Sequence, residues 1–185
     1  MIEFHADDYG MFPAQSKRIR KCIEEGVLNG ISIMPNSPYL AECMEALQPV
    51  RDKVRIAVHL NFLHGKALSC PEEIPHLVRQ DGTFHIPYVK ALLASFYPGM
   101  RSVYRQEFKK EICRQLKAAE PYMEHGYFRI DSHVHYHVIP VVFDALMEAL
   151  EEERRQVSYI RMPAEPIQAF FRCRSSLSGI PWLNV

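Results

Sequence analysis

Short apolar runs alternate with amphipathic helical stretches from the N-terminus to about residue 161, and this alternation restricts the chain to parallel strands joined by crossover helices. Residues 2–6 read as a first buried strand. Pro13 suits the first turn of a helix reaching about Leu28, with Gly30 past its end and Ile19, Cys22, Ile23 and Val27 as its inward stripe. Residues 31–34 form a second strand stopped by Pro35, a helix spans about 38–47, and 54–60 is a third strand. Residues 61–100, broken by Pro71, Pro75, Pro87 and Pro98 with a turn at Asp81-Gly82, look like an insertion over one face, with short helices near 72–79 and 88–95. A long helix over about 102–124 would bury Tyr104, Phe108, Ile112, Leu116 and Ala119. A strand at 127–133, a helix at 140–153 and a strand at 157–161 follow, and residues 163–185 show no clear period. The expected architecture is α/β, a sheet or barrel, with residues 1–185 as one domain.

The 185 residues, 48% of them hydrophobic, suffice for one sizeable core. Basic and acidic residues balance at 22 each without a basic block, which argues against nucleic acid or an anionic membrane as partner. Five widely spaced cysteines without a C-x-x-C pair suit free thiols in a reducing compartment. With no signal peptide and no apolar stretch of membrane-spanning length, the expected location is the cytoplasm.

Parallel α/β folds gather the C-terminal ends of their strands on one face, and ligands bind there. Three segments that carry chemistry fall at such ends. They are Asp7-Asp8, His59, and the run Asp131-Ser132-His133-Val134-His135-Tyr136-His137. Adjacent aspartates in a partly dry place repel, and a divalent cation removes that cost. One can then ligate while its neighbour acts as general base, although the pair could instead cap the next helix or shape the turn at Gly10. His133, His135 and His137 alternate, so an extended backbone would point all three to one side as candidate ligands or as a wet strand end. Asp131 would share that face and orient one imidazole through its second nitrogen, or else pair with Arg129. His59 would supply a second imidazole; two histidines and a carboxylate leave positions open for water and substrate.

Ala6-Asp7-Asp8-Tyr9-Gly10, Val58-His59-Leu60-Asn61 and the Asp131–His137 run resemble the three motifs of the YdjC-like carbohydrate deacetylases, a family that includes chitooligosaccharide deacetylase. The resemblance covers residues 1 to about 160. It implies a distorted (β/α) barrel of the TIM type with roughly seven strands. It also implies removal of acetyl groups from N-acetylglucosamine-containing oligosaccharides with a divalent metal ion, magnesium or zinc. The family's ligands map onto Asp8, His59 and His133 and its base onto Asp7; His137 and His135 match the third motif, as proton donor to the leaving amine and as substrate contact, with Asn61 beside the second motif as a further contact. This chain departs in carrying His5 where the family usually has Asn, Tyr9 for Phe, and no Thr just after the second motif. Members also continue to a late strand bearing a His-Pro motif. The chain is therefore expected to lack the C-terminal part of the barrel, exposing Phe170, Phe171 and Leu177 and favouring either association, as a homo-oligomer, or poor stability.

Two other functions fit the same residues. A hydrolase of phosphoesters would need a cation at the rim, for which Arg129 and Arg161 are the candidates. A carbohydrate- or metal-binding module would keep the pocket without turnover. The aromatics between 84 and 104 (Phe84, Tyr88, Phe96, Tyr97, Tyr104) could stack on sugar rings, but at helical spacing they read rather as core.

Overall fold

Five strands, β1 (His5–Tyr9), β2 (Gly30–Ile33), β3 (Arg55–Leu60), β4 (Tyr127–Ser132) and β5 (Gln156–Ile160), pair in sequence order as one parallel sheet. The computed structural model describes residues 2–124 and 126–163, so Phe170, Phe171 and Leu177 lie outside the described residues. The connections carry helices α1 (Pro13–Glu24), α2 (Leu40–Leu47), α3 (Tyr88–Ala94), α4 (Pro98–Ala119) and α5 (Pro140–Glu152). The α/β expectation holds, with strands three to five close to their predicted bounds.

The strands are two-faced. Ile31 and Ile33, then Ile56, Val58 and Leu60, then Phe128 and Ile130 point to the helices and are buried. Alternate positions carry Ser32, Ala57, His59, Arg129 and Asp131, which face the other side. That second face is concave. In a flat sheet β1 and β5 would lie about 19 Å apart, four strand spacings. Instead Glu3, just before β1, takes both of its carboxylate oxygens to Arg129 of β4 at 2.7 and 2.8 Å, and Asp7 of β1 accepts from Arg161 just past β5 at 2.9 Å. Side chains can close that gap only if the sheet curls toward a barrel.

Gly30 is required by this curl. A Cβ there would lie 2.5 Å from His5 Nδ1 and 2.6 Å from Glu3 Oε1, so any other residue would push the first strand's polar side chains out of the cradle.

The convex core is closed by α4 and α5. Tyr104, Phe108, Ile112, Leu116 and Ala119 of α4 are all buried, as their spacing predicts. Beside that stripe runs a second buried row, Glu107, Glu111 and Gln115, which the sequence pattern does not announce. These groups fasten the insertion. Glu111 accepts from the N–H groups of Leu68 and Ser69, Glu107 from that of His76, and Gln115 exchanges two hydrogen bonds with the backbone of Asn61. Each satisfied carboxylate or amide avoids a desolvation penalty of about 1–3 kcal/mol.

Several local expectations are corrected. The first strand begins at His5 rather than residue 2, because Ile2 and Phe4 are exposed and ladder pairing starts at His5 opposite Gly30. Helix α1 ends at Glu24, where Gly26 at φ 77° turns the chain, so Val27 is exposed and Gly30 belongs to β2. The helix expected near 72–79 is a single 3-10 turn, Pro71–Glu73, since Pro75 lacks the N–H needed to continue it. Helix α4 starts at Pro98, four residues early, and stops at Ala119 before Pro121. The aromatics between 84 and 104 divide. Phe84 and Tyr104 are core, whereas Phe96 and Tyr97 are exposed. Among the described residues no helix is long and apolar enough to cross a membrane.

Candidate metal centre

In a regular strand, adjacent residues point to opposite faces. Asp7 and Asp8 escape that rule. Asp8 has φ 63°, and the β1–β2 register shifts between Ala6 and Tyr9, so a bulge re-aims Asp8 along the rim. The two aspartates thus lie inside β1, not after it, and serve two different neighbourhoods. Gly10 follows at φ 90°, where a Cβ would meet Leu40 Cδ1 at 3.0 Å; the motif's glycine lets the β1–α1 loop nest on α2.

Asp8 Oδ1 lies 2.8 Å from His133 Nδ1 and 3.2 Å from His59 Nε2. Behind His59, Asp131 Oδ1 accepts from Nδ1–H at 2.6 Å, while its Oδ2 accepts from the Ser32 hydroxyl at 2.5 Å. With Nδ1–H committed to Asp131, Nε2 is the ring atom of His59 turned toward Asp8, donating a proton to it or, once deprotonated, offering a lone pair. Asp131 does not pair with Arg129, which Glu3 already holds.

This donor set fits a divalent cation. One carboxylate and two imidazoles offer atoms that all lie within 4.8 Å of one another. Ligands about 2.0–2.1 Å from a tetrahedral ion sit about 3.3 Å apart, close to the spacings already present. The carboxylate behind His59 is the orienting partner such ligands ordinarily need. Zinc accepts this nitrogen–oxygen mixture, and magnesium would lean on the carboxylate.

Without an ion, protons take over part of its role. Hydrogen bonds from His133 and His59 hold the Asp8 carboxyl far below the usual carboxylate range, against the opposing effect of burial. Burial pulls His59 down, yet its hydrogen bonds to Asp131 and Asp8 outweigh it and lift the imidazole to about 9. Asp131 resists the upward push of burial through His59 and Ser32, and stays low.

A second cluster adjoins the first. Asp7 accepts from Arg161 at 2.9 and 3.1 Å, the guanidinium also lies 3.6 Å from Asp131, and His5 bridges Glu3 and Ser32. His5, Asp7 and Asp131 could geometrically hold an ion, but Arg161 already supplies the positive charge.

The three histidines of the third motif do not share a face. His133–Val138 is a 3-10 turn rather than an extended strand, with Val134 and His135 at φ 52° and 55°. That left-handed kink sends His133 to Asp8 and buries His137 completely. Ser132 Oγ donates to His137 Nδ1 at 2.5 Å, and His137 Nε2–H donates to the Arg161 carbonyl at 2.6 Å. Both ring nitrogens are spent, burial draws the imidazole down, and His137 is therefore not placed to hand a proton to a substrate. It ties the end of β4 to the segment after β5. His135 is half-buried, its shielded Nδ1 has no hydrogen-bond partner among the described residues, and burial, helped by Arg161, draws it down.

Asn61, expected as a substrate contact, is taken up by the loop that follows β3. Fully buried, it accepts from the N–H groups of Leu63 and His64 and donates to Asn36 and to the His64 carbonyl. The loop it shapes carries the residue that motif reading overlooks. His64, exposed, sets its ring edge-on to His133 with centroids 4.8 Å apart. Its position in the loop directly after β3 was the available signal.

Residues 1–181 match the family described as YdjC-like protein. A carbohydrate deacetylase of Xenopus laevis is 28% identical over 170 residues, which cover 90% of this chain and 51% of that protein. One from Thermoanaerobacter pseudethanolicus is 27% identical over 144 residues, covering 78% and 54% respectively. The chain thus spans about half the length of these curated relatives. A crystal structure from Enterococcus faecalis V583, described as a cellobiose-phosphate cleavage protein, superposes with a TM-score of 0.63 at 20% identity, over 94% of this chain and 63% of that one. At that identity the likeness supports the fold alone.

Proposed function

The chain belongs to the YdjC-like family, and from that premise we propose that it is the site-bearing part of a metal-dependent hydrolase that removes acetyl groups from N-acetylated sugars such as chitooligosaccharides. On this reading the five strands are a section of a barrel of roughly seven. The observation that carries it is the convergence of Asp8, His59 and His133 around one point, with Asp131 fixing His59 from behind and a second carboxylate, Asp7, alongside.

Asp8, His59 and His133 would hold the cation. When bound, it would supply Lewis acidity toward the acetyl carbonyl and the attacking water. Asp7 would take the proton from that water. Arg161 grips both Asp7 carboxylate oxygens and so fixes which way the base faces. Asp131 holds the imidazole tautomer of His59. His135 would meet the substrate through the exposed part of its half-buried ring, since its Nδ1 is shielded. No residue is assigned to protonate the leaving amine, because His137 is enclosed.

An amide is favoured over a phosphoester by the two arginines. A phosphate at the rim would need a free cation, and Arg129 and Arg161 are already gripped by Glu3 and Asp7.

The deciding experiment measures acetate release from N-acetylglucosamine oligomers by the full-length protein, metal-free and with zinc or magnesium, beside Asp7→Asn. Metal-dependent acetate that vanishes in the variant is the expected result. No acetate with metal still bound would overturn the reaction class and leave a different bond or a binding role.

A further inference from the structure

The loops after β1, β2 and β3 enclose an open groove of about 300 Å³. Two aromatic rings stand at its walls, and each is displayed by its backbone. Phe12, 53% exposed, precedes Pro13, whose ring forces the extended conformation seen at φ −140°. Tyr39, 41% exposed, opens α2 directly after Pro38. Neither ring is spent on the core, although both are large apolar groups held in water.

The groove is preformed. Ser37 Oγ donates to the Gly10 carbonyl at 2.5 Å, tying the second loop to the first. Asn36 donates to the His64 and Lys66 carbonyls at 3.0 and 2.9 Å, tying the second loop to the third. At its inner end lies His64, whose ring meets His133 of the candidate metal centre. Among the described residues no hydrogen bond occupies the His64 ring nitrogens. Among the described residues no Asp, Glu, Lys or Arg side chain lines the groove.

We propose that this groove is a subsite for one neutral pyranose unit of an oligosaccharide, lying next to the unit whose acetamide meets the metal centre. The assignment rests on the deacetylase reading for the identity of the neighbouring unit. The chemistry is complementary. A pyranose has an apolar C–H face, which the Phe12 and Tyr39 rings can cover, and a hydroxylated edge, which the Tyr39 hydroxyl and His64 can bond. A phosphorylated sugar would find no Lys or Arg among the described lining residues to offset its charge. Specificity would then favour neutral oligomers over monomers and over sugar phosphates.

The test titrates the full chain with the N-acetylglucosamine dimer, with the monomer and with the 6-phosphorylated monomer, following saturation transfer to the ligand by NMR. Phe12→Ala, Tyr39→Ala and the double variant are compared with the parent. Both side chains are largely exposed, and thermal melting checks that the fold is retained. The dimer should bind more tightly than either monomer, and each substitution should weaken the dimer by about threefold to tenfold, the range of one aromatic contact. Undiminished dimer binding in the double variant, or a phosphorylated monomer binding as well as the dimer, would overturn the subsite; so would failure of the parent chain to bind the dimer. Acetate measured in the same tubes reads the deacetylase assignment separately. Dimer binding lost in the variants, with no acetate from the parent protein and metal present, would keep the subsite and remove the reaction.

Discussion

Two clusters stand side by side on the concave rim, built from the same strands and sharing Asp131. In one, Asp8 faces two imidazoles and, among the described residues, no permanent cation. In the other, Asp7 faces the guanidinium of Arg161. Adjacent aspartates have thus been assigned opposite electrostatic fates by one bulge at Asp8. A permanently charged arginine satisfies its carboxylate at any ordinary pH, whereas imidazoles offer lone pairs to a metal or, lacking one, borrow protons. On the proposed reading the first cluster would take an exchangeable cation, and the second would act as a fixed orienting device.

The largest expected effect separates the two aspartates. Asp7→Asn should cut turnover by roughly 10²–10⁴-fold while metal content, read by elemental analysis, stays at the parent level. Asp8→Asn should lose the metal as well. Equal metal loss in both variants would erase the division of labour between them. Next comes the shared residue. Asp131→Asn removes the charged acceptor behind His59 and should weaken metal affinity by about 10–100-fold, measured by competition with a chromophoric chelator. Unchanged affinity would mean that His59 needs no orienting partner.

The pH dependence of the metal-free chain sharpens the contrast further. His59 is raised from 6.5 to about 9, so its stabilising contribution is complete below about 6.5 and disappears as pH climbs through 9. Asp8 is depressed, so its contribution is present above about 4 and is lost as pH falls. Chelated protein should melt several degrees lower at pH 9 than at pH 6.5, and added metal should close the gap. Over the same window metal affinity should rise with pH, because the ion displaces the proton on His59. A flat melting profile in chelator would show that His59 carries no such proton.

Much of this arrangement was legible in the sequence, where periodicity was strong. The α4 stripe from Tyr104 to Ala119 and the positions of β3 to β5 followed from spacing. The gathering of Asp7-Asp8, His59 and the third-motif histidines on one rim followed from strand ends sharing one face, while the choice of Asp8 and His133 among them came from the family resemblance. The polar concave face formed by Ser32, Ala57, His59, Arg129 and Asp131 was not read from the sequence, and the first strand was read there as wholly buried. What escaped were features set by single torsions or by tertiary partners. Nothing in His133–His137 announces a left-handed Val134, since β-branched residues avoid that region. The buried Glu107, Glu111 and Gln115 look like a solvated helix face until the insertion they clamp is in place.

That left-handed turn carries the smallest and most discriminating effect. Val134 sits at φ 52° with half its surface in solvent, so its side chain contributes little packing to offset the strain. A left-handed L-residue costs about 1–2 kcal/mol, and glycine returns some of that gain through the entropy of the unfolded chain. Val134→Gly should therefore stabilise by about 0.5–1 kcal/mol, raising the melting temperature by about 2 °C. The backbone path would be unchanged, so His133 should still reach Asp8 and metal affinity should hold. A more stable variant with weakened metal binding would carry a different lesson. The strained valine would then be what keeps His133 in the exchangeable cluster, with the turn's rigidity, and not merely its shape, setting the two clusters apart.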